Sequence, residues 1–273
     1  MLQPGAQGLD MPPVELHADA SPNLHGSIVR GSRYAQREVM LPLYLHGIDR
    51  RTLRRLKNEL INALDPARGH CVLKIMEADA QPRSLRCYYK GGFEGDEGED
   101  QAGFRWQRVG VQFTAFDPFF YADQMQVAEW TFGHGRPFLT TAGASFLPLR
   151  LDKGLVSTPD LTVHNPGDSD AWPVWELTGP VRGFRFSQGQ GSFAIPPASA
   201  TDVVPVGRTL VIDTRPGVKT LLDDQGMNYW PLLAPDPHLW PLPAGDSTMS
   251  VELAPGSAAA SLRLSFHPRY KTY

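Results

Sequence analysis

The side chains that most often carry out catalysis are present in this chain, but their spacing matches no recognised reactive arrangement. A zinc hydrolase motif needs two histidines four residues apart on a helix, and none of the eight histidines has such a partner. His70 and Cys71 adjoin a predicted strand, with no partner to complete a base–nucleophile pair. The signatures of serine hydrolases, P-loop proteins and C-x-x-C proteins are absent from the sequence. We therefore predict that the chain is not an enzyme and has no catalytic residues, metal or cofactor.

Acidic residues raise two weaker possibilities, sugar hydrolysis and calcium binding. Glycoside hydrolysis needs two carboxylates in a preorganised cleft. Asp123 with Glu129, or Glu176 with Asp213, could be nominated, but a chain with 29 acidic residues yields such pairs by chance. The acidic stretch Glu94–Asp100 lacks the D-x-D-x-D-G pattern and distal glutamate of a calcium loop. Neither chemistry is therefore predicted.

Aromatic residues of the second half suggest an alternative function. Exposed tryptophans on a β-sheet can stack on sugar rings, so a carbohydrate-binding module is a rival interpretation. The residues concerned are Trp172, Trp175, Tyr229, Trp230 and Trp240. The simpler interpretation, which we favour, is that these side chains fill the core. Trp172 and Trp175 are separated by two residues, so on a strand their side chains point to opposite faces. At least one of the two side chains therefore need not be buried.

The balance of charge indicates no preference for polyanionic partners. The chain has 26 basic and 29 acidic side chains and a net charge of −3. Such a chain has no bulk electrostatic reason to bind DNA, RNA or an anionic membrane. No apolar run approaches the roughly 20 residues that cross a bilayer, and Met1–Pro13 does not look like a signal peptide. We therefore expect no specific nucleic-acid binding, no membrane insertion, and assembly in a cytoplasm.

The elements that hold these side chains are clearest between residues 37 and 121. Alternating apolar residues predict a strand over Arg37–Gly47, and Pro42 places that strand at a sheet edge or at a bulge. Leucines at spacings of three and four predict a helix from Arg50 to Leu64, capped by Asp49 and stopped by Pro66. Residues 1–36 read as an arm with one strand.

Two further predicted strands, Cys71–Met76 and Arg83–Lys90, form a hairpin that turns at 78–82. This register places Cys71 opposite Cys87, and we interpret the two residues as buried thiols because the cytoplasm is reducing. A long strand follows over Phe104–Phe116 and ends at a turn, Asp117-Pro118.

After Asp123 the chain reads as short strands separated by turns, with no helical stripe. Gln126–Phe132, Phe146–Leu151 and Thr209–Asp213 are among the candidate strands. Many short strands with regular turns predict a β-sandwich or a barrel. The expected fold class is mainly β, with a β-rich α+β domain with one helix over residues 1–123 and a β-sandwich domain over residues 124–273.

The order of these elements resembles a known family. The first domain carries REVMLPLYLHGID, LRRLKNELINALDP, VLKI, RSLRCYYKGGFEG and RWQRVGVQFTAFDPFFY. The second carries GDSDAWPVWELTGP, GRTLVIDTRPGVKTLLDDQGMNYW and LSFHPRYKTY. Together these segments resemble the distal tail proteins of siphophages over most of residues 37–273, and the strand that ends in AFDPFFY is the most specific of them.

The resemblance implies a structural function in a bacteriophage tail. Distal tail proteins form a homo-hexameric ring at the tail tip, in which the N-terminal domains make the ring and a galectin-like β-sandwich decorates its outside. The ring joins the tail tube protein to the hub and receptor-binding apparatus, with the tape measure protein as a further partner, and leaves a channel for DNA. The implied location is the virion tail tip, after assembly in the cytoplasm of the bacterial host. Sugar binding does not follow from a galectin-like fold.

A ring of identical copies needs head-to-tail contacts that close. Two segments of the first domain have opposite charge, and we expect them to meet across a boundary between subunits or with a neighbouring tail ring. They are the basic helix face, Arg51, Arg54 and Arg55, and the acidic loop, Glu94, Asp96, Glu97, Glu99 and Asp100. Two other interpretations stay open: a solvated helix face, and an acidic loop that lines the channel and repels DNA.

Overall fold

A computed structural model describes residues 1–23, 25–76, 81–94, 98, 102–132, 156–197, 201–255 and 259–273, without the side chains of 156–160 and 255. The chain divides into two compact units. The first contains Met1–Asp123 together with Arg269–Tyr273, and the second contains Gln124–Pro268. The sequence-based boundary at Asp123 differs from this division in one respect, because the last five residues return to the first unit.

The first unit is built from strands and one helix. Its elements are β1 (Val14–Ala20), β2 (Ser27–Tyr34), β3 (Arg37–His46), α1 (Arg50–Leu64), β4 (Cys71–Ile75), β5 (Arg83–Gly91), β6 (Trp106–Ala115) and β7 (Phe120–Ala122). A short 3₁₀ turn, Pro66–Arg68, follows the helix. Alternating apolar side chains of these strands form one core, which includes Val39, Leu85, Cys87, Val111, Phe113, Ala115 and Phe120.

Strand β3 is the outermost strand of its sheet and pairs with β6 along its whole length. The N-terminal arm covers its other edge. The amide of Gln3 donates to the carbonyl of Pro42 at 2.8 Å, and Gln7 pairs with Met40. A proline has no amide to offer on a ladder. The carbonyl and the nitrogen of Pro42 both face the arm, because the two backbone groups of one residue lie on the same side of an antiparallel strand. The missing amide therefore removes no hydrogen bond to β6.

Helix α1 begins where the sequence predicts. The carboxylate of Asp49 accepts a hydrogen bond from the amide of Thr52 at 2.7 Å, which caps the first turn. Leu53 is buried, and the helix ends before Pro66. The hairpin of β4 and β5 also has the predicted register, with Cys71 opposite Cys87. Its turn, residues 77–80, lies outside the described residues.

The N-terminal segment differs from the expectation of a single strand. It forms a two-stranded antiparallel hairpin of β1 and β2, with a bulge between His17 and Ala18. Every residue of β1 and all of β2 except Tyr34 are exposed. The hairpin therefore stands away from the core of its own unit.

The second unit is a β-sandwich, which confirms the predicted fold class. Its strands are β8 (Gln126–Phe132), β9 (Val156–Asn165), β10 (Val174–Thr178), β11 (Val181–Gln188), β12 (Gly191–Ile195), β13 (Thr209–Asp213), β14 (Thr220–Asp223), β15 (Gly245–Pro255) and β16 (Ala260–Phe266). A five-stranded sheet has the order β14-β13-β10-β16-β8, and a four-stranded sheet has the order β12-β11-β15-β9. The predicted strand Phe146–Leu151 lies outside the described residues.

Aromatic side chains from both sheets form the core of the sandwich. Trp175 of β10 lies 5.0 Å from Phe186 of β11, measured between ring centroids. Phe186 in turn stacks on Phe193 at 4.9 Å, and Phe193 contacts Trp240. Offset and edge-on ring packing of this kind adds about 0.5–1.5 kcal/mol per pair to the burial of area.

The chain then returns to the first unit as β17 (Arg269–Tyr270), which pairs with β7. Arginines hold this last segment in place. Arg83 donates to the carbonyl of Thr272 at 2.7 Å and lies over the ring of Tyr270. The guanidinium of Arg269 lies 4.0 Å from the centroid of Phe119. The last strand is thus part of the first unit's sheet and not a loose end.

Candidate interaction interface

The basic helix face lies where the leucine stripe predicts. Arg51, Arg54 and Arg55 are all exposed, on the side of α1 away from buried Leu53. Arg55 pairs with Glu59 one turn later, at 3.7 Å. An exposed pair of this type contributes only about 0.3–0.5 kcal/mol. The face can therefore exchange this local contact for one with a neighbouring molecule at little cost.

The acidic loop is described at one of its five candidate residues, Glu94. Both oxygens of its exposed carboxylate accept from the amide of Gly92 at 2.9 Å, and this hydrogen bond lowers the pKa of Glu94. Gly92 has a φ of +106°, and an added Cβ would lie 2.1 Å from the carbonyl oxygen of Gly110, so only glycine fits there. Asp96, Glu97, Glu99 and Asp100 lie outside the described residues.

The start of the acidic loop lies near the far end of α1. Phe93, the neighbour of Glu94, lines a cavity of about 240 Å³ together with Ile61 and Leu64. Arg54 precedes Ile61 by about 10 Å along the helix axis, at 1.5 Å per residue. The basic face and the start of the loop are thus at different ends of one helix.

The carboxylates nominated for glycoside hydrolysis form ion pairs with basic side chains. Arg263 lies between Glu129 and Glu176 on adjacent strands, at 3.3 Å and 3.1 Å. Asp213 forms an ion pair with Arg215 at 2.6 Å. Burial opposes the ionisation of Asp213, but the hydrogen bonds from Arg215 hold the pKa of Asp213 below its usual value. Each of these three carboxylates is therefore engaged by an arginine rather than directed into a cleft.

Asp123, the remaining nominated carboxylate, pairs with Lys74 and also accepts from the hydroxyl of Ser84. Within the described ranges, no group of three or more histidine, cysteine or acidic side chains is arranged to hold a metal ion. In the same part of the chain no helix is both long and apolar enough to cross a bilayer.

The aromatic residues of the second unit are mostly core residues. Trp175, Tyr229 and Trp240 are buried, Trp172 is half-buried, and Trp230 alone of these five is classed as exposed, at 38%. A sugar platform needs several exposed rings on one face. The burial of three of these rings favours the core interpretation over the carbohydrate-binding alternative.

The two cysteines are free thiols. Burial raises the pKa of both, and raises that of Cys87 to about 12. Cys71 is half-buried, and its thiol points toward the carbonyl of Ala63 on the helix. Both residues act as small core side chains, as the sequence indicates.

Sequence reasoning missed the residue that ties the first unit together, Arg37. Its side chain is buried at 1% exposure and donates to four carbonyl oxygens, those of Gly8, Asp10, Pro118 and Lys271. Its guanidinium also lies 4.9 Å from the centroid of Phe120. Burial lowers the pKa of Arg37, and the charge of Asp10 opposes that shift. The arm, β3, the turn before β7 and the last strand all meet at this one side chain.

Comparison with known proteins gives two results. Residues 9–70, which contain β1, β2, β3 and α1, match the family model described as phage tail protein RIFT-related domain. The resemblance to siphophage distal tail proteins is confirmed. The crystal structure of phage SPP1 Dit (gp 19.1) is similar with a TM-score of 0.63 and 13% identity, covering 97% of this chain and 93% of that one.

A chain of the phage P2 baseplate in its activated conformation with calcium is also similar. Its TM-score is 0.51 at 9% identity, covering 98% of this chain and 90% of that chain. No curated protein matches the chain. At these identities the likeness establishes a shared fold across both units. SPP1 Dit is described as a paradigm of the hub adsorption apparatus in phages that infect Gram-positive bacteria.

Proposed function

We propose that this protein is a structural component of a bacteriophage tail tip, present in the virion as a ring of six copies. The ring joins the tail tube to the hub and receptor-binding apparatus and leaves a channel for DNA. The observation that carries the proposal is the likeness to SPP1 Dit over 97% of the chain, which includes both units. The match to a phage tail domain at residues 9–70 supports it independently.

The two units have separate tasks in this proposal. The first unit makes the ring, because it holds the matched tail domain and the exposed charged helix face. The second unit, a β-sandwich whose aromatic residues are largely in its core, decorates the outside of the ring. The tail tube protein, the hub protein and the tape measure protein are the expected neighbours. No enzymatic step is assigned to the chain.

Light scattering coupled to size-exclusion chromatography tests the ring. Six copies of the 30.2 kDa chain give a mass of about 181 kDa (six times 30.2). Measurement should include the protein alone and the protein mixed with the tail tube and hub proteins of the same phage, since a ring can require its neighbours for closure. A monomer under both conditions, with no complex, would contradict the proposal.

Within the ring, the basic helix face of one copy is proposed to meet the acidic loop of the next. Changing Arg51, Arg54 and Arg55 together to glutamate places like charges opposite each other across that boundary. We expect assembly to weaken at least about tenfold in concentration at low salt, since close charge pairs at interfaces couple by more than 1.4 kcal/mol.

A matched control changes three exposed cations of the second unit, Arg182, Arg185 and Lys219, to glutamate. Both variants shift the net charge by the same amount, so a general charge effect would weaken them equally. Normal assembly of the helix variant would rule out this contact while leaving the ring itself in place.

A further inference from the structure

The hairpin of β1 and β2 has one apolar face and one polar face. Register puts Val14 opposite Tyr34, and Ala18 opposite Val29, on the same side. We define the apolar hairpin face by the apolar side chains on that side, Val14, Leu16, Ala18, Ala20, Val29 and Tyr34; Ser27 and Ser32 also lie there. Leu16 is 67% exposed and Val29 is 61% exposed. Exposed apolar surface of this kind can serve as an interaction site.

The opposite face of the hairpin satisfies its own charges. Arg33 pairs with Glu15 at 2.6 Å, and Arg30 pairs with Asp19 at 2.7 Å. The two cations and two anions balance on this face, which also carries the side chains of His17 and Ile28. The hairpin therefore lacks the excess positive charge that would direct it to DNA or to an anionic membrane. The apolar hairpin face is instead suited to contact an apolar surface of a protein.

The apolar hairpin face contacts the rest of the first unit at its base. Tyr34, at the base of the hairpin, makes an edge-to-face contact with buried Phe119, with ring centroids 5.3 Å apart. Beyond Tyr34 no described part of the same unit covers the face, since all remaining residues of both strands are exposed. A two-stranded sheet is marginally stable by itself. A second layer from outside the copy would stabilise it.

Several exposed apolar side chains lie on the outer side of the sheet in the same unit, beside exposed Arg86, which is opposite Val72 in the register. We define the outer sheet patch as His70, Val72, Tyr88 and Phe116. Tyr88 contacts Phe116 at 5.8 Å and His70 at 6.4 Å, measured between ring centroids. Val72 is 55% exposed and Phe116 is 67% exposed. These side chains point away from the core that Cys87 and Leu85 enter from the same strands.

We propose that the apolar hairpin face of one copy docks on the outer sheet patch of the next copy. This inference rests on the proposed ring. Among the described residues of the first unit, both surfaces are exposed and neither covers the other. Between copies, one protruding surface and one flat surface make a head-to-tail contact that repeats around a ring. No further protein is needed to cover either surface.

The size of the hairpin suits a part of such an interface. Eight residues extend about 26 Å at 3.3 Å each, and two strands are about 10 Å wide with their side chains, so one face offers about 260 Å². A stable interface buries about 800 Å² on each partner. The hairpin contact thus anchors a larger boundary, to which the charged helix face and the acidic loop also contribute.

The direct test is photocrosslinking of the assembled full-length protein. A benzophenone amino acid replaces Leu16, and equal amounts of isotopically light and heavy protein are mixed before assembly. We expect adducts that join light and heavy chains at peptides containing Val72, Tyr88 or Phe116. Adducts confined to other surfaces of a neighbouring copy, or to the same copy, would overturn the inference while the ring stands.

A pair of variants measures the energy of the contact. Leu16→Asp combined with Val29→Asp should raise the concentration for half-assembly at least about tenfold, because burial of one such side chain corresponds to one to two decades in affinity. The control His17→Asp lies on the polar face of the same strand and should assemble normally. Both residues changed are exposed, so the copies stay folded by circular dichroism. Equal assembly of the double variant and the control would refute the docking.

The two proposals fail in different ways. If the wild-type chain makes no assembly of identical copies, alone or with its tail neighbours, the ring fails and the docking fails with it. If the ring forms but the hairpin variants assemble normally, only the docking is wrong. Binding of the wild type to neutral lipid vesicles, lost in the double variant, would identify a membrane as the occupant of the apolar hairpin face and would also overturn the docking.

Discussion

Replacing Arg37 with methionine keeps most of the side chain's volume and removes its guanidinium. In the folded protein that group donates to the carbonyls of Gly8, Asp10, Pro118 and Lys271. A methionine chain can fill the same space but cannot donate a hydrogen bond. The change therefore leaves four acceptors without their donor and removes the link that this side chain makes from β3 to the arm and to the last segment of the chain, while the backbone pairing of the arm with β3 remains.

The expected loss of stability follows from the burial of these bonds. A hydrogen bond to a charged group contributes about 1.5–3 kcal/mol when its loss leaves a buried partner unsatisfied. Only the bond to Pro118 is fully buried, at 2.8 Å. The other three acceptors are half-buried, so water can replace much of what they lose. Because the variant also no longer buries a charge, we expect a net loss of about 3 kcal/mol in the free energy of unfolding of the first unit.

Urea unfolding followed by circular dichroism measures this change, and limited digestion with carboxypeptidase measures release of the last strand. Arg33→Met is the matched control, because Arg33 is exposed and pairs only with Glu15 on the hairpin surface. We expect the control to change stability by less than about 0.5 kcal/mol. If Arg37→Met unfolds at the same urea concentration as the control, the interpretation of Arg37 as the junction of the unit is wrong.

Two further predictions concern ionisation. Burial opposes the ionisation of Asp223, but hydrogen bonds from the amides of Met227 and Gln225 and from Arg208 hold its pKa below the usual value of 3.8. The ionised carboxylate therefore stabilises the folded protein fully above that value. This stabilisation is lost as the pH falls through the lower pKa of the folded state. Asp223→Asn should therefore flatten the dependence of stability on pH below about 5 in acid titration of unfolding; an unchanged slope would contradict this role. Cys71 should react with a thiol reagent in the native protein well before Cys87, whose pKa is raised to about 12 and whose side chain is fully buried. Mass spectrometry of timed samples that found Cys87 labelled first would refute this order.

Local sequence patterns were sufficient to predict the elements that have one buried side and one exposed side. Helix α1 was predictable because its leucine stripe, the Asp49 cap and the Pro66 stop all agree. The β4–β5 register followed from alternation and from the length of the turn. In the sandwich, Gln126–Phe132 and Thr209–Asp213 were predicted with their observed bounds. The exposure of the basic helix face likewise follows from the position of the stripe.

Three features were not predictable because their signal is not local. The hairpin of β1 and β2 has no buried face in one copy, so only Val14-Glu15-Leu16 alternates clearly. Strand β12 is five residues long and begins with a glycine, so it reads as a continuation of the turn before it. The burial of Arg37 depends on carbonyls from the arm and the last strand, far apart in sequence. Arginine is almost never fully buried unless paired, so its residue type predicts the opposite.

The return of Arg269–Tyr273 to the first unit also sets the order in which the chain can complete its folding during synthesis. Domains commonly fold from the N-terminus as they are made. Here the first unit needs β17, whereas the sandwich is complete once Pro268 has been added. The second unit can therefore finish before the first one. A nascent chain therefore cannot complete the sheet of the first unit until β17 has left the ribosome, and in the proposed ring this order would delay assembly until both units are folded.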